Sequence, residues 1–183
     1  MKVTLISIGN FQDYIIYNIE QLLLLKYDIT VIIDKKFLNK LDKFKNIEKI
    51  LSEDLNTNLV QTFEKLSQFN KKFRNGFWHY TSKRFFYLYE YLKKYNIENS
   101  IHIENDVLLY TKLNFKHKKI LLTMDTDTRC IPGIIYIPNH VILKKLIDTY
   151  NFSSRGNDMT NLGNFYNKNT ELCDTFPIIY DSK

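Results

Sequence analysis

Hydrophobic positions along the chain switch between two patterns, and the switch predicts strands separated by helices. Short segments rich in apolar residues, typical of buried strands, occupy residues 2–8, 28–34 and 47–51. Residues 13–27 instead repeat apolar side chains at three- and four-residue spacing, which predicts a packed helix, and residues 37–44 predict a short helix. Strands that alternate with helices in this way predict a parallel sheet with right-handed βαβ connections.

The same alternation continues along the chain and predicts an α/β fold with a mostly parallel central sheet flanked by helices. Further helices are expected at 57–69, 78–95, 139–150 and 158–167, and further strands at 100–104, 119–124, 133–138 and within 174–183. In the long helix, Phe85, Leu88 and Leu92 share one apolar face, and Arg84 lies beside it. Because no internal repeat, low-complexity tract or linker interrupts the pattern, residues 1–183 are expected to form a single domain.

Length and composition are those of a globular domain, with 183 residues of which 44% are hydrophobic. A domain of this size buries about 70% of the surface that its unfolded chain exposes, which is enough for a rigid site. Polar residues interrupt every apolar run, so neither a membrane span nor a secretory signal is expected, and the expected location is the cytoplasm. Cys130 and Cys173 lack the spacing of a metal site and are expected to be free thiols.

The net charge of +6 is a weak indication of an anionic partner. Lysines are scattered along the whole chain and build no basic arm, so we expect no nucleic-acid partner, and a basic nucleic-acid-binding module stays only as an alternative. The absence of Ala and the abundance of Asn, Ile and Lys indicate codon bias from an AT-rich genome. The scarce arginines, Arg74, Arg84, Arg129 and Arg155, are more informative, because a planar guanidinium grips phosphate or carboxylate in a way that Lys does not.

Two pairs of acidic residues follow predicted strands. Glu104 and Asp106 end the apolar run in SIHIENDVLLY, and Asp125 and Asp127 follow the next run in LLTMDTDTRC. Open α/β sheets bind ligands beyond the carboxyl ends of their strands, and two carboxylates one residue apart repel unless a cation lies nearby. A divalent cation held by one or two carboxylates and substrate phosphates resolves the conflict, so Glu104 and Asp106 predict a site for a nucleotide diphosphate.

Several segments together resemble a known family of enzymes. The segments are KVTLISIGN, FWHYTSKRFFYLYEYL leading into IHIENDVLLY, DTDTRCIPGIIYIPN, and RGNDM, and they span most of the chain. They resemble the nucleotide-sugar glycosyltransferases of the GT-A fold, most closely the small transferases of large DNA viruses. The resemblance implies a Rossmann-like start and metal-dependent, inverting transfer of a hexosyl or pentosyl group. The donor would be a nucleotide-diphosphate sugar, with UDP the most frequent nucleotide, and the acceptor a glycan, glycoprotein or other hydroxyl compound in the host cytoplasm.

The metal motif of that family corresponds to Glu104-Asn105-Asp106 in this chain. In the family an acid-x-acid motif after the fourth strand holds Mn²⁺ or Mg²⁺ against the donor diphosphate. Glu104 departs from the usual first Asp, so the direct metal bond is expected from Asp106, with Asn105 beside the nucleotide. Asp125 and Asp127 match the residue types of the usual Asp-x-Asp motif, but they follow the fifth strand rather than the fourth. They are interpreted either as part of a solvated turn or as ligands for sugar or acceptor hydroxyls.

The resemblance also implies a nucleotide-binding set at the ends of the first two strands. Ile8, Gly9 and Asn10 follow the first strand, and Gly9 would let the backbone approach a base or ribose. Asp34 matches an acid that meets the nucleoside in family members, and its alternative role is a helix cap. Arg84 would contact a diphosphate oxygen or orient Asp106, and its alternative is an Arg stem that covers apolar surface.

A catalytic base and an acceptor side are implied by the later segments. Asp158 opens a predicted helix, where the helix N-terminus would keep it ionised and ready to accept the proton of the acceptor hydroxyl; simple helix capping is the alternative. The residues expected to contact the donor sugar or the acceptor are Asp125, Asp127, Arg129, Gly133, Arg155 and Asn157.

Two further expectations concern the limits of the resemblance. GT-A domains usually run longer than 183 residues, so a truncated domain or a module of a larger transferase is expected. A sugar nucleotidyltransferase is an alternative function, but it should carry a Gly-rich phosphate loop after its first strand, and SIGNFQDY supplies none.

Overall fold

The apolar runs form the strands of a single sheet in the computed structural model, which describes residues 1–176. The strands are β1 Lys2–Ser7, β2 Asp28–Ile33, β3 Glu48–Leu51, β4 Ser100–Ile103, β5 Ile120–Thr126, β6 Arg129–Ile137 and β7 Cys173–Thr175. Their order is β3-β2-β1-β4-β6-β5-β7, and β6 alone among them runs antiparallel to its neighbours. The predicted α/β fold with a mostly parallel central sheet is confirmed.

Five α-helices connect and cover these strands in the described part of the chain. They are α1 Ile15–Leu24, α2 Asn58–Leu66, α3 Phe77–Lys94, α4 His140–Asp148 and α5 Asp158–Lys168. The helix predicted at 37–44 is a 3₁₀ helix over Lys35–Leu41. The first helix ends earlier than its apolar pattern, because Lys26 takes a left-handed conformation with φ 57° and the Tyr27 amide returns to the Leu22 carbonyl.

The sheet separates two hydrophobic clusters, and the alternation of side chains along a strand explains the division. In β1, Val3 and Leu5 face the cluster that contains α1, whereas Ile6 faces the cluster built around α3. The α3 cluster also receives side chains from α2, α4 and α5. Because α3 is enclosed in this way, it holds its polar side chains, Arg84 included, at fixed positions beside the sheet.

The β5–β6 hairpin differs from its prediction. The strand expected at 133–138 already begins at Arg129, and Asp125 lies within β5 rather than after it. The pairing of β5 with β6 shifts register between Leu121 and Thr123, opposite the part of β6 that contains Pro132. A proline has no N–H for the ladder, so a bulge at this position is expected, and the longer hairpin carries the two acids Asp125 and Asp127 to its exposed end.

Three remaining expectations concern the termini and the thiols. No helix within residues 1–176 is both long and apolar enough to cross a membrane. The strand predicted within 174–183 is present in part as β7, and residues 177–183 lie outside the described residues. Cys130 and Cys173 are free and buried, and burial raises the pKa of each thiol to about 12, so both are protonated at neutral pH.

Candidate functional site

The carboxyl ends of β1 and β4, which are parallel neighbours, border a cavity of about 170 Å³. The predicted nucleotide and metal residues that line this cavity are Ile8, Asn10, Arg84, Glu104, Asn105 and Asp106. A cavity at the carboxyl edge of a mainly parallel sheet is where an open α/β fold binds its ligand. Its volume suits part of a nucleotide sugar rather than the whole molecule.

The turn that carries the acidic pair is fixed by buried amide side chains. The Asn105 amide donates to the Ile6 carbonyl of β1 at 2.9 Å, which ties the turn to the neighbouring strand. Asn18 on α1 donates to the carbonyls of Glu104 and Asn105 at 3.1 and 3.2 Å. The Glu104 amide donates to the Gly133 carbonyl on β6 at 2.9 Å. Hydrogen bonds to α1, β1 and β6 therefore fix the turn from which both acidic side chains project.

Arg84 on α3 bridges two carboxylates behind the cavity. Its Nη1 donates to Glu104 Oε1 at 2.7 Å, and its Nη2 donates to Asp158 Oδ2 at 2.8 Å. Arg84 is only 7% exposed. Burial alone would lower the pKa of Arg84, but the charges of Asp158 and Glu104 outweigh it and raise that pKa above its ordinary value. The guanidinium is thus a permanent cation that holds Glu104 in place.

Asp158 has a different setting from the one expected of a catalytic base. Its side chain is 2% exposed and does not line the cavity. One carboxylate oxygen accepts from Arg84, and the other accepts from the Met159 amide at 3.0 Å. With both oxygens occupied and water excluded, Asp158 is placed to hold Arg84 rather than to meet an acceptor hydroxyl. Its neighbour Asn157 caps α5 through a capping box with Thr160.

Asp106 is the more exposed of the two acids that line the cavity. Its exposed carboxylate lines the cavity and makes no ion pair or hydrogen bond within residues 1–176. Tyr14, at the start of α1, lies near enough to respond to it: burial first, and then the charges of Asp106 and Glu104, raise the pKa of the Tyr14 phenol. A carboxylate in this position can accept a cation without losing an existing partner.

His102 lines the same cavity as a neutral donor to the backbone. Its Nδ1 donates to the Thr4 carbonyl at 3.0 Å, so Nε2 carries the lone pair. Burial, together with the Arg84 charge, lowers the pKa of His102 to about 3. The imidazole therefore stays neutral throughout the physiological range.

Gly9 does not offer its backbone to a nucleoside, because the ring of Tyr80 already covers it. A Cβ on Gly9 would lie 2.3 Å from Tyr80 Cζ, and Gly9 has φ +75°. Gly76 also approaches this ring, with a hypothetical Cβ 2.9 Å from Tyr80 Cε2. Tyr80 therefore packs closely against two glycines and lines the cavity.

Replacing Gly9 with Ala is expected to lower the free energy of unfolding by about 1–3 kcal/mol, since the new Cβ meets Tyr80 and the left-handed backbone is unfavourable for Ala. Urea unfolding measures the loss. Combining Gly9→Ala with Tyr80→Ala removes the collision but not the backbone strain. The double variant should therefore lose less stability than the sum of the losses in the two single variants. Full additivity of the two stability losses would show that Tyr80 does not pack against Gly9.

Asp34 is occupied by the protein in the same region. Its carboxylate accepts from the Gly9 amide at 2.7 Å and from the Ser52 hydroxyl. It stands at the start of the 3₁₀ helix but makes no capping hydrogen bond, so the alternative role as a helix cap is also absent. Asp34 fixes the turn after β1 and does not line the cavity.

Most of the predicted acceptor residues lie away from this cavity. Asp125 pairs with Arg129 at 3.6 Å on the exposed end of the β5–β6 hairpin, where Asp127 is also exposed. Arg155 is exposed in the loop before α5. Asp127 thus lies in the exposed turn of the hairpin, whereas Asp125 lies near the exposed end of β5.

Gly133 is the exception within the acceptor set, since it touches the acidic turn directly. Its carbonyl accepts the Glu104 amide, and a Cβ at Gly133 would lie 3.8 Å from Glu104 Oε2. Gly133 therefore belongs to the support of the acidic pair rather than to a separate acceptor surface.

The cavity residues that received no role from the sequence include Tyr14, Arg74, Phe77 and Tyr80. Aromatic residues are so common in this chain that none of them stands out by type, and core packing is the ordinary role for each. Arg74 did carry a signal, because arginine is rare here, but its position in a polar break gave no indication of what it faces.

The residues at this cavity fit a divalent cation that a bound phosphate helps to hold. No group of three or more His, Cys, Asp or Glu side chains within residues 1–176 is arranged to hold a metal ion, so these side chains form no complete cage. Mg²⁺ and Mn²⁺ sites of the substrate-bridged kind need only one or two carboxylates. Asp106 supplies one oxygen-donor group, and Glu104 keeps Oε2 without a hydrogen bond to the described residues.

Comparison with known proteins supports the fold. No protein-family model matches the sequence, and no curated protein matches it. The structure is similar to that of a cytidylyltransferase from Leptospira borgpetersenii serovar Hardjo-bovis (strain JB197), with a TM-score of 0.51 and 14% sequence identity. The match covers 99% of this chain and 76% of that chain. Fold and cavity define an α/β protein with a cavity at the carboxyl edge of its sheet that both acidic and basic side chains line.

Proposed function

We propose that the protein is a nucleotide-dependent transferase, and specifically a metal-dependent glycosyltransferase that uses a nucleotide-diphosphate sugar. One observation carries the proposal: Asp106 follows the end of β4 with a carboxylate that no residue of 1–176 pairs with, in a cavity that the end of β1 also borders. This is the position expected from the resemblance to GT-A glycosyltransferases. The donor nucleotide, with UDP as the first choice, and a hydroxyl acceptor are parts of the same proposal.

The residues around the cavity have distinct roles in this proposal. Asp106 would hold Mn²⁺ or Mg²⁺, with Glu104 as the second acid. The cation supplies neutralisation of the negative charge that develops on the leaving nucleotide. Arg84 holds Glu104 at a fixed position, so that little rearrangement is needed when the donor binds. We assign Asp158 to positioning Arg84 rather than to proton transfer, because both of its oxygens are occupied.

A sugar nucleotidyltransferase is the second candidate, and the likeness to a cytidylyltransferase favours it. Such an enzyme would join a nucleoside triphosphate to a phosphorylated acceptor and release pyrophosphate. The turn after β1, residues 8–14, contains a single glycine, and Tyr80 covers that glycine, so this turn does not form a Gly-rich phosphate cradle. For that reason glycosyl transfer is the first candidate.

Asp106→Asn is the variant that tests the proposal, because it removes the charge and keeps the shape. Calorimetric titration of UDP, CDP and GDP should show Mn²⁺-dependent binding of at least one nucleotide to the wild-type protein. In Asp106→Asn we expect that binding to weaken by about 10-fold or more, since a metal–carboxylate bond is lost. EDTA should weaken wild-type binding to a similar extent.

Two controls separate the alternatives. Asp125→Asn removes an acid from the other pair and is expected to keep metal-dependent nucleotide binding; a loss there would move the metal site to the β5–β6 hairpin. The products identify the reaction: a free nucleoside diphosphate released from a nucleotide sugar supports glycosyl transfer, and pyrophosphate released from a nucleoside triphosphate supports nucleotidyl transfer. Absence of nucleotide binding under every condition, with salt-sensitive binding to any polyanion, would support the basic binding module instead.

A further inference from the structure

Arg74 is a cation without a partner at the rim of the cavity. It is exposed and lines the cavity, and its guanidinium makes no hydrogen bond or ion pair with residues 1–176. The guanidinium lies over the ring of Phe77, with its carbon 5.1 Å from the ring centroid. Arg84, the other arginine of this cavity, already has two carboxylates. The charge of Arg74 is therefore available to an anion, as the charge of Asp106 is available to a cation.

The backbone holds Arg74 in an unusual conformation. Arg74 and Asn75 have φ of 44° and 57°, and Gly76 continues the left-handed run with φ 83°. Such a conformation is unfavourable for residues other than glycine and persists only where neighbouring contacts impose it. One contact is visible: the side chain of Asn10, after β1, donates to the Asn75 carbonyl at 2.8 Å. The Arg74 segment is therefore attached to the strand end that borders the cavity.

The N-terminus of α3 adds positive potential beside Arg74. The helix begins at Phe77, which lines the cavity, and Gly76 before it has no side chain to cap the first turn. No acidic residue lies in that turn, and the amides of Phe77 and Trp78 have no acceptor within residues 1–176. The unpaired amides and the dipole of an 18-residue helix both favour a bound anion.

A second polar group on the same cavity is also unsatisfied. Arg84 is more than nine-tenths buried and lines the cavity, and its Nε–H has no acceptor in the described part of the protein. A buried donor without an acceptor is unfavourable by about 1–3 kcal/mol unless a ligand or a water molecule supplies one. Arg74, Phe77 at the start of α3 and Asp106 thus line one cavity, with this buried donor behind it, and the Asp106 carboxylate has no partner among residues 1–176.

We propose that Arg74 and the first amides of α3 bind a phosphate group of the nucleotide and select a diphosphate over a bare nucleoside. The identity of the ligand as a nucleotide rests on the proposed function. A phosphate between Arg74 and a cation on Asp106 would have positive charge on two sides, which matches the two unpaired charges of the cavity. The contact of the Arg74 guanidinium with the Phe77 ring limits its motion.

Arg74→Gln tests this assignment, with UDP, uridine and inorganic pyrophosphate as calorimetric probes. We expect UDP and pyrophosphate to bind about 10- to 100-fold more weakly to Arg74→Gln, because a charge-assisted contact is lost, and uridine to bind as it does to the wild type. Arg74→Lys should recover part of the affinity, since Lys keeps the charge but not the two-pronged geometry. Lys72→Gln removes an exposed positive charge from the same loop and controls for general electrostatic effects.

The outcomes distinguish this inference from the proposed function. Unchanged affinity of Arg74→Gln for UDP and pyrophosphate, or equal weakening by Lys72→Gln, overturns the role of Arg74 while metal-dependent nucleotide binding stands. If Arg74→Gln weakens the binding of uridine and of UDP by the same factor, the role of Arg74 in phosphate binding is also overturned. The substitution would then have changed the shape of the pocket. If pyrophosphate binding depends on Arg74 but no nucleotide binds, the anion site holds and the proposed function fails. A wild-type protein that binds neither UDP nor pyrophosphate overturns both the role of Arg74 and the proposed function.

Discussion

Replacing Arg84 with Met is expected to lower the free energy of unfolding by about 3–5 kcal/mol, the usual effect of removing one partner of a buried ion pair. Asp158 is 2% exposed and would keep its charge in the interior without the guanidinium that now compensates it. Met fills much of the volume of the Arg stem, so the loss measures charge compensation more than packing. Urea unfolding, with the midpoint shifted at an unchanged slope, is the measurement.

A matched control and a compensating variant complete this test. Arg155→Met makes the same chemical change at an exposed position and is expected to alter stability by less than about 0.5 kcal/mol. Adding Asp158→Asn to Arg84→Met removes the uncompensated charge and should restore part of the lost stability. Removing both charges is less unfavourable than leaving one charge buried without its partner. A loss below about 1 kcal/mol in Arg84→Met would contradict the buried bridge.

Gly163→Ala is the second substitution with a large expected effect, and its sign is opposite to the usual one. Ala is normally better than Gly inside a helix by about 0.5–1 kcal/mol. At Gly163 in α5, however, a Cβ would lie 2.2 Å from the Thr128 carbonyl oxygen and 2.8 Å from the Arg129 nitrogen. These are backbone atoms of the β5–β6 hairpin and cannot rotate away, so α5 must move off the hairpin. We expect a loss of about 2 kcal/mol or more.

The exposed neighbour Asn164 provides the control for helix propensity. Asn164→Ala changes the same turn of α5 without a new contact and should stabilise the protein slightly, by about 0.5 kcal/mol. Thermal unfolding of the two variants side by side isolates the contact with the hairpin. If Gly163→Ala proves as stable as Asn164→Ala, then α5 does not pack directly on the hairpin backbone.

The elements of the fold were predictable because each has a local signal. The buried strands are short segments rich in apolar residues, and α3 shows its apolar face at helical spacing, so both were found within a few residues. The order of the sheet was not predictable, since nothing local indicates that β6 inserts antiparallel between β4 and β5. The hairpin boundary was missed for a related reason: the polar turn hides a strand that begins at Arg129 and contains Pro132.

In the candidate site, too, only the features with a local sequence signal were predictable. The position of Glu104 and Asp106 at a strand end is a local feature, and it was found from the pattern together with the resemblance. The bridge from Arg84 to Asp158 joins residues 74 positions apart, and only the packing of α5 against α3 and β6 brings them together. A sequence shows that Asp158 opens a helix, but it does not show that an arginine occupies the carboxylate.

Tyr80 illustrates a third kind of limit. The two glycines that contact its ring were visible in the sequence, and Gly9 was expected to give close approach to a ligand. The close approach is real, but a side chain of the protein makes it. A requirement for glycine at a position therefore indicates that another group approaches the backbone closely. It does not indicate whether that group belongs to a ligand or to the protein.

The stacking of aromatic rings at the start of α3 has a practical consequence for the study of ligands. Phe77 lines the cavity and lies under Arg74, and its ring meets that of Trp78 with centroids 4.8 Å apart. Trp78 is the single tryptophan of the chain. Its fluorescence emission thus originates next to the proposed phosphate contact and nowhere else, so the protein contains an intrinsic optical reporter for that position, and ligand titrations can be followed without any added label.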